Sequence, residues 1–315
     1  MPDISIDTIH RLFDQGLIPT RAKWSLLEGE KRSLDLVNHV LRVILQLDRL
    51  DEFVPEFEAL IACQHEVGGW GDQSTSRRTG VRNTCFAARN LIRANRTLKR
   101  QDFAGSIERA VRYVMSTQDA EGFFPDPVWG PRDATSSSMG LLHYTLKESF
   151  GDATEEIHAE ARERLGRAAA HLERSQEQDG SWHDTKAYEA PIGPTSHLLP
   201  KMVLAARKAT PPVQAAVDYL VNSQGEDGSW DGQHVDHTCD ATRALLLTYS
   251  VLEDERLPRV IEGGVSWLYA NPAGDGLWGV RPGRRSNLIM TCDVLDCLSK
   301  YEAHKRELDL RVFWQ

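Results

Sequence analysis

A seven-residue pattern that returns five times constrains this chain more than any other feature. Gln64-His65-Glu66-Val67-Gly68-Gly69-Trp70 is followed by Gln118-Asp119-Ala120-Glu121-Gly122-Phe123-Phe124 and then by Gln176-Glu177-Gln178-Asp179-Gly180-Ser181-Trp182. Gln224-Gly225-Glu226-Asp227-Gly228-Ser229-Trp230 repeats it closely, and Pro272-Ala273-Gly274-Asp275-Gly276-Leu277-Trp278 is a weaker last copy. Successive aromatics lie 54, 58, 48 and 48 residues apart. A period of this length marks a supersecondary unit that stacks on its own copies. Asp-Gly-Ser-Trp reads as a turn, with Gly supplying a positive φ, Gln bonding backbone groups and Trp packing over the bend.

Each copy sits between two stretches with apolar residues at three-to-four spacing, the signature of amphipathic helices. The spacing predicts helices over residues 6–16, 33–47, 51–64, 82–95, 103–118, 134–148, 153–175, 195–208, 212–223, 237–252, 258–270 and 287–301. Pro212 and Pro258 suit helix starts, where a missing N–H costs nothing. Thr84, Thr135, Thr195, Thr238 and Thr291 stand where the second helix of each pair opens, as N-cap or first-turn residues. Six helical hairpins and no linker-like composition shift predict an all-α protein, a single (α/α)6 barrel over residues 1–315.

Composition narrows the function classes. With 37 Lys+Arg against 46 Asp+Glu the formal charge is −9, and no basic stripe is available to neutralise phosphates, so nucleic-acid binding is not expected. Five cysteines scattered over 315 residues argue for a reducing compartment rather than a disulfide scaffold. No apolar run approaches the roughly 18 residues that span a bilayer. Met1-Pro2-Asp3-Ile4 lacks a basic-then-apolar leader, so a cytoplasmic location is expected. The absence of P-loop, dinucleotide Gly fingerprint, His-Glu-x-x-His and Gly-x-Ser-x-Gly patterns leaves the common cofactor and hydrolase classes without support.

The Gln-x-x-x-Gly-x-Trp repeats joining helix pairs resemble those of the barrel shared by squalene–hopene cyclases, class II terpene cyclases and the β subunits of protein prenyltransferases. The resemblance spans about residues 50–302. It implies inner helices whose first turns open into a cavity, where acidic and anionic groups gather at helix N-termini. The fifth inner helix begins Val235-Asp236-His237-Thr238-Cys239-Asp240-Ala241. The class II cyclase motif Asp-x-Asp-Asp-Thr-Ala is similar here. Aligning the following Ala/Leu runs sets Asp240 on its last Asp, Cys239 on the middle Asp that donates the proton in that family, and His237 on the first. One carboxylate of three is kept. Protonating an alkene requires a carboxylic acid held neutral by burial and a neighbouring carboxylate, so Asp240 with Asp236 or Asp293 is the expected acid pair, tuned by His237. The resemblance therefore implies acid-initiated cyclisation or isomerisation of an isoprenoid substrate, an isomerase of isoprenoid biosynthesis.

Two other readings stand beside it. His237-Thr238-Cys239 is similar to the His-Thr-Cys of a prenyltransferase β subunit, whose His binds zinc. The Asp-x-Cys expected one repeat earlier is replaced by Pro194-Thr195-Ser196-His197, so zinc is not expected. Mg²⁺ is called for only if the substrate is a diphosphate. A third reading is a barrel recruited to a more polar substrate or to binding alone, which the scarcity of inner-helix aromatics (Phe86, Tyr144, Tyr249) favours. Expected pocket-lining groups are Cys85, Asp133, His197, Cys292 and Tyr249, with Arg132, Arg284 and Arg285 as a cluster suited to a diphosphate or carboxylate. A partner chain could complete the site, and an apolar substrate suits a peripheral membrane contact.

Overall fold

A computed structural model gives the fold and describes residues 6–27, 31–47, 49–183, 190–206 and 208–306. Arg207, inside the helix expected over residues 195–208, lies outside the described residues. Twelve α-helices of nine residues or more occur among the described residues: α1 Ile6–Gly16, α2 Leu34–Ile44, α3 Val54–Ala62, α4 Val81–Leu98, α5 Ala104–Ser116, α6 Pro131–Thr145, α7 Thr154–Arg174, α8 Ile192–Ala206, α9 Pro211–Asn222, α10 Val235–Leu252, α11 Leu257–Ala270 and α12 Leu288–Lys305. Among these residues β structure is limited to isolated bridges, such as Trp70 with Gly80. None of the described helices is long and apolar enough to cross a membrane.

The helices fall into two compact units, Arg21–Arg174 and Met1–Thr20 with Ser175–Trp314. In the first, α2, α4 and α6 pack in a row; in the second, α8, α10 and α12 do the same. Odd-numbered helices bury one stripe, as Ile107, Ala110, Val111 and Val114 do on α5. Even-numbered helices are buried on nearly every side: residues 133–142 of α6 form an unbroken buried run. A helix enclosed in this way must satisfy whatever polar groups it carries through its neighbours.

The repeat builds the joints. Gln176 Nε2 donates to Gly180 O at 2.8 Å within its own turn and to Pro212 O at 2.8 Å on α9, the first helix of the next hairpin. Gln64, Gln118 and Gln224 make the same double bond, to Ser106 O, Arg164 O and Val260 O in turn. These carbonyls lie in helices and the amide draws them onto the turn. The indole N–H of Trp70, Trp230 and Trp278 donates to a carbonyl ten residues earlier, at 2.7–2.8 Å. The threonines sit deeper than caps. Each lies in the opening turn, fourth or fifth in its helix, and accepts the backbone N–H of the motif aromatic, as Thr195 does from Trp182 at 2.9 Å. The helices thus begin about three residues before them, and His234 and Asn287 cap α10 and α12 through their side chains.

Gly180 has φ +88°, and a Cβ there would stand 2.3 Å from Ala215 O. Gly228 repeats this against Gly263 O at 2.5 Å. The positive φ and the close carbonyl act together, so Gly180→Ala is expected to lower stability by about 2–4 kcal/mol. Urea unfolding of the variant measures this directly.

Candidate functional site

Side chains from the second turn of α8 and the second to fourth turns of α10 and α12, with Asp236 ahead of them, form a charged cluster. Asp236, Asp240 and Arg243 are spaced i, i+4 and i+7 along α10 and share one face. His197 Nε2 on α8 lies 2.8 Å from Asp240 Oδ2. Arg243 donates through Nη2 to Asp240 Oδ1 and through Nη1 to Asp296 Oδ2 at 3.0 Å, with Asp293 Oδ1 3.8 Å away. On α12, Lys300 Nζ donates to Asp296 Oδ2 at 2.6 Å. A continuous chain His197–Asp240–Arg243–Asp296–Lys300 therefore crosses three helices. Asp240 is 3% exposed and Asp296 fully buried, so partners have to compensate both charges.

The two carboxyls of α10 are driven apart. Burial pushes the Asp240 carboxyl up, but the His197 and Arg243 charges together outweigh it and hold the group well below the usual carboxylate range. Asp236 keeps part of its surface open, yet burial, then the negative Asp240 and Asp293, push its carboxyl well above that range; His197 and Arg243 only partly offset this. The surroundings thus favour the protonated form at Asp236 and the ionised form at Asp240. Such a pair can deliver a proton to a bound molecule and hold a balanced charge beside it.

His237 Nδ1 lies 2.9 Å from Asp231 Oδ2, in the loop before α10, so its ring is engaged away from Asp240. His234 stacks on it with centroids 4.3 Å apart and accepts the His237 N–H through Nδ1 at 3.4 Å. Burial, then the positive fields of His237 and Arg281, lower the His234 pKa to about 4. The folded chain therefore holds fewer protons than the unfolded one between pH about 4 and about 6.5. Stability present above about 6.5 is lost as pH falls towards 4. His171 and His304, also lowered by burial, act in the same direction. His234→Asn, which keeps a capping side chain, is expected to flatten part of this loss in melting curves recorded across that range.

The other expected residues are placed as follows. Cys239 and Cys292 are fully buried within α10 and α12, and burial, then Cys297 and Asp293, push the Cys239 thiol well above its usual range. Tyr249 packs edge-on against His304, centroids 5.6 Å apart, about 20 Å along α10 from Asp236. Arg284 and Arg285 are exposed in the turn before α12. Cys85, Asp133 and Arg132 belong to the other compact unit. There, Cys85 lies 3.6 Å from Ser138 Oγ and burial pushes its thiol up to about 12. Arg132 lies over the Phe123 ring at 5.6 Å.

Asp133 pairs at 2.7 Å with Arg82 Nε, and Arg82 also bonds Asp35. Arg82 is the hub of a second charged cluster, at the leading turns of α2, α4 and α6, flanked by the rings of Trp129 at 3.9 Å and Phe86 at 4.4 Å. Asp126 Oδ2 accepts the Arg82 backbone N–H at 3.1 Å. Sequence reading missed Arg243, Asp296, Lys300 and Asp35 as site members. Their signal is the i, i+3/i+4, i+7 charge stripe along single helices: 236-240-243, 293-296-300 and 35-39-42.

Among the described residues, no group of three or more His, Cys, Asp or Glu side chains is disposed to hold a metal ion. His237 has Asp231 as its nearest acid, while Asp240 is taken up by His197 and Arg243. The zinc reading therefore has no ligand set in these residues.

Comparison with known proteins follows the same lines. No curated protein sequence matches the chain. Type II terpene cyclase MstE from Scytonema is similar in structure, with TM-score 0.64 and 13% identity over 95% of this chain and 99% of its own. Ent-copalyl diphosphate synthase from Streptomyces platensis gives TM-score 0.61 and 18% identity over 84% of this chain and 50% of its own. The GH76 α-mannanase BT2949 of Bacteroides thetaiotaomicron gives TM-score 0.62 at 9% identity over 87% of this chain and 86% of its own. At such identities these likenesses speak for the fold alone, and the mannanase shows that one fold carries unrelated chemistries. The family model of the prenyltransferase alpha-alpha toroid domain matches residues 32–241, about two thirds of the sequence, and the chain belongs to that family.

Proposed function

We propose that the protein is an acid–base enzyme of the terpene-cyclase type, with Asp236 as the general acid and Asp240, braced by His197 and Arg243, as its ionised partner. The carrying observation is the buried His197–Asp240–Arg243 arrangement beside a largely buried Asp236, which favours a proton on one carboxyl and its loss from the other. The Asp236 carboxyl transfers its proton to a substrate alkene carbon, and the resulting cation rests beside the Asp240 carboxylate. Loss of a proton from the product cation returns Asp236 to its acid form. Of the expected pair of Asp240 with Asp236 or Asp293, this reading makes Asp240 the ionised partner and Asp236, one helical turn earlier, the acid. Structures of MstE include a complex with geranylgeranyl dihydroxybenzoate, which supports an isoprenoid chain as the substrate class.

One observation favours a second reading, a more polar substrate in the same barrel. The surroundings of Asp236 are ion pairs: Arg243, Asp293, Asp296 and Lys300 stand where a polyene cation would call for aromatic faces. Incubation with isoprenoids of increasing chain length, with and without a carboxylate or diphosphate end, separates the two. Cyclised or isomerised products of mass equal to the substrate, formed by wild type and lost in Asp236→Asn, support the acid role. Turnover retained by that variant overturns it.

A further inference from the structure

We infer that the unit Arg21–Arg174 carries an anion-binding pocket between α2 and α4, built to receive a multiply charged phosphate-type oxyanion. Asn38, His39 and Arg42 line it from α2, and Phe86, Arg89, Asn90 and Arg93 from α4. Arg89 and Arg93 are one helical turn apart and point from the same face, while Arg42 approaches from the neighbouring helix. Three guanidiniums line one small pocket, of which Arg42 and Arg93 have other partners as well, and a guanidinium fork suits an oxyanion.

Two orphaned donors mark the same place. Asn38 is 2% exposed, and Asn90 Nδ2 donates to its Oδ1 at 3.3 Å and to its backbone carbonyl at 3.0 Å. That fixes the Asn38 amide with its Nδ2 turned the other way, and the buried Nδ2 meets no acceptor among the described residues. Arg89 Nε is likewise buried without an acceptor there. An enclosed donor without an acceptor is destabilising, and a bound oxyanion would relieve that cost. Both orphans are donors, and the three arginines outnumber the one nearby carboxylate, Asp35, which faces Arg82, His39 and Arg42, so the missing partner is an acceptor with negative charge rather than a cation. The His39 ring meets Phe86 edge-on at 5.7 Å and so closes one wall of the pocket with apolar surface, lowering the local dielectric and strengthening each contact to the anion. The pocket is separate from the Asp236–Asp240 pair and does not depend on the function proposed for it.

Titration of the full-length protein with inorganic diphosphate, followed by calorimetry at low and at raised salt, tests this. Saturable one-site binding that weakens with salt is expected, with affinity falling about tenfold or more in Arg89→Gln and again in Arg93→Gln. Asn38→Leu, which removes the orphan donor, is expected to weaken binding too, and Arg174→Gln, an exposed control, to leave it unchanged. Orthophosphate and citrate titrated in parallel report whether phosphate or carboxylate oxygens fit better. Citrate binding at least as tightly as diphosphate would overturn the phosphate assignment. No saturable diphosphate binding by wild type, or equal affinity in Arg89→Gln and Arg93→Gln with unchanged circular dichroism, would overturn the pocket itself.

Discussion

Asp236→Asn is expected to lose catalysis and gain stability at once. As a general acid the carboxyl contributes about 10²–10⁴-fold to rate, and an amide cannot deliver that proton. The stability effect comes from linkage. The folded Asp236 carboxyl holds its proton more tightly than the unfolded chain does, near pH 3.9, so its contribution is intact below about pH 4 and is lost as pH rises through the folded value. At neutral pH the folded state therefore bears a cost that Asn, uncharged at every pH, does not carry. Melting temperatures of variant and wild type should separate above pH 7, with the variant higher, and converge near pH 4. A purely structural aspartate would show the opposite: a variant of lower melting temperature at neutral pH. The sign for Asp240 is reversed, because its depressed value makes it stabilising above about pH 4 and lost below, so Asp240→Asn destabilises at neutral pH.

The second large effect is expected at Arg243. Its guanidinium faces Asp240, Asp293 and Asp296, and removing it takes the shared cation from three buried carboxylates, leaving His197 on Asp240 and Lys300 on Asp296. Breaking a buried ion pair by deleting one member typically costs about 3–5 kcal/mol, and Arg243→Met should reach at least that range. Arg243→Lys should recover only part of it, since an ammonium offers no planar fork to reach Asp240 and Asp296 together. Chemical unfolding at pH 7 measures both. The deficit of Arg243→Met should shrink as pH is lowered and these carboxylates protonate, which distinguishes charge loss from loss of side-chain volume.

The fold was legible in the sequence because the repeat encodes local chemistry. Gln, Gly and Trp at fixed offsets determine a turn, and the bonds they make lie within it, on the helix before it or on the first helix of the next hairpin. The site was legible only in part, because its partners come from different repeats. His197 and Asp240 are 43 residues apart and meet only when α8 packs on α10. Matching Asp240 to a family motif pointed to the opening of α10, but the groups that set Asp236 and Asp240 apart, His197 and Arg243, lie outside that motif. The adjacent Arg284 and Arg285 read as an anion clamp, yet the turn carrying them is exposed. The charge stripe 293-296-300 was present in the letters and passed over, since Asp296 and Lys300 resemble an ordinary solvated i, i+4 pair until α10 covers them.

The glutamine clasps have a consequence for how such a chain can be cut or lengthened. Each amide reaches 36 to 46 residues forward to tether its bend to the helix of the next hairpin. A boundary drawn between hairpins severs that tether and also uncovers the glycine behind it, so the natural module is offset from the helix pairs by part of a helix. Grafts or truncations that carry the following helix along should behave as complete pieces; those that stop at the end of a pair should fray at their last bend.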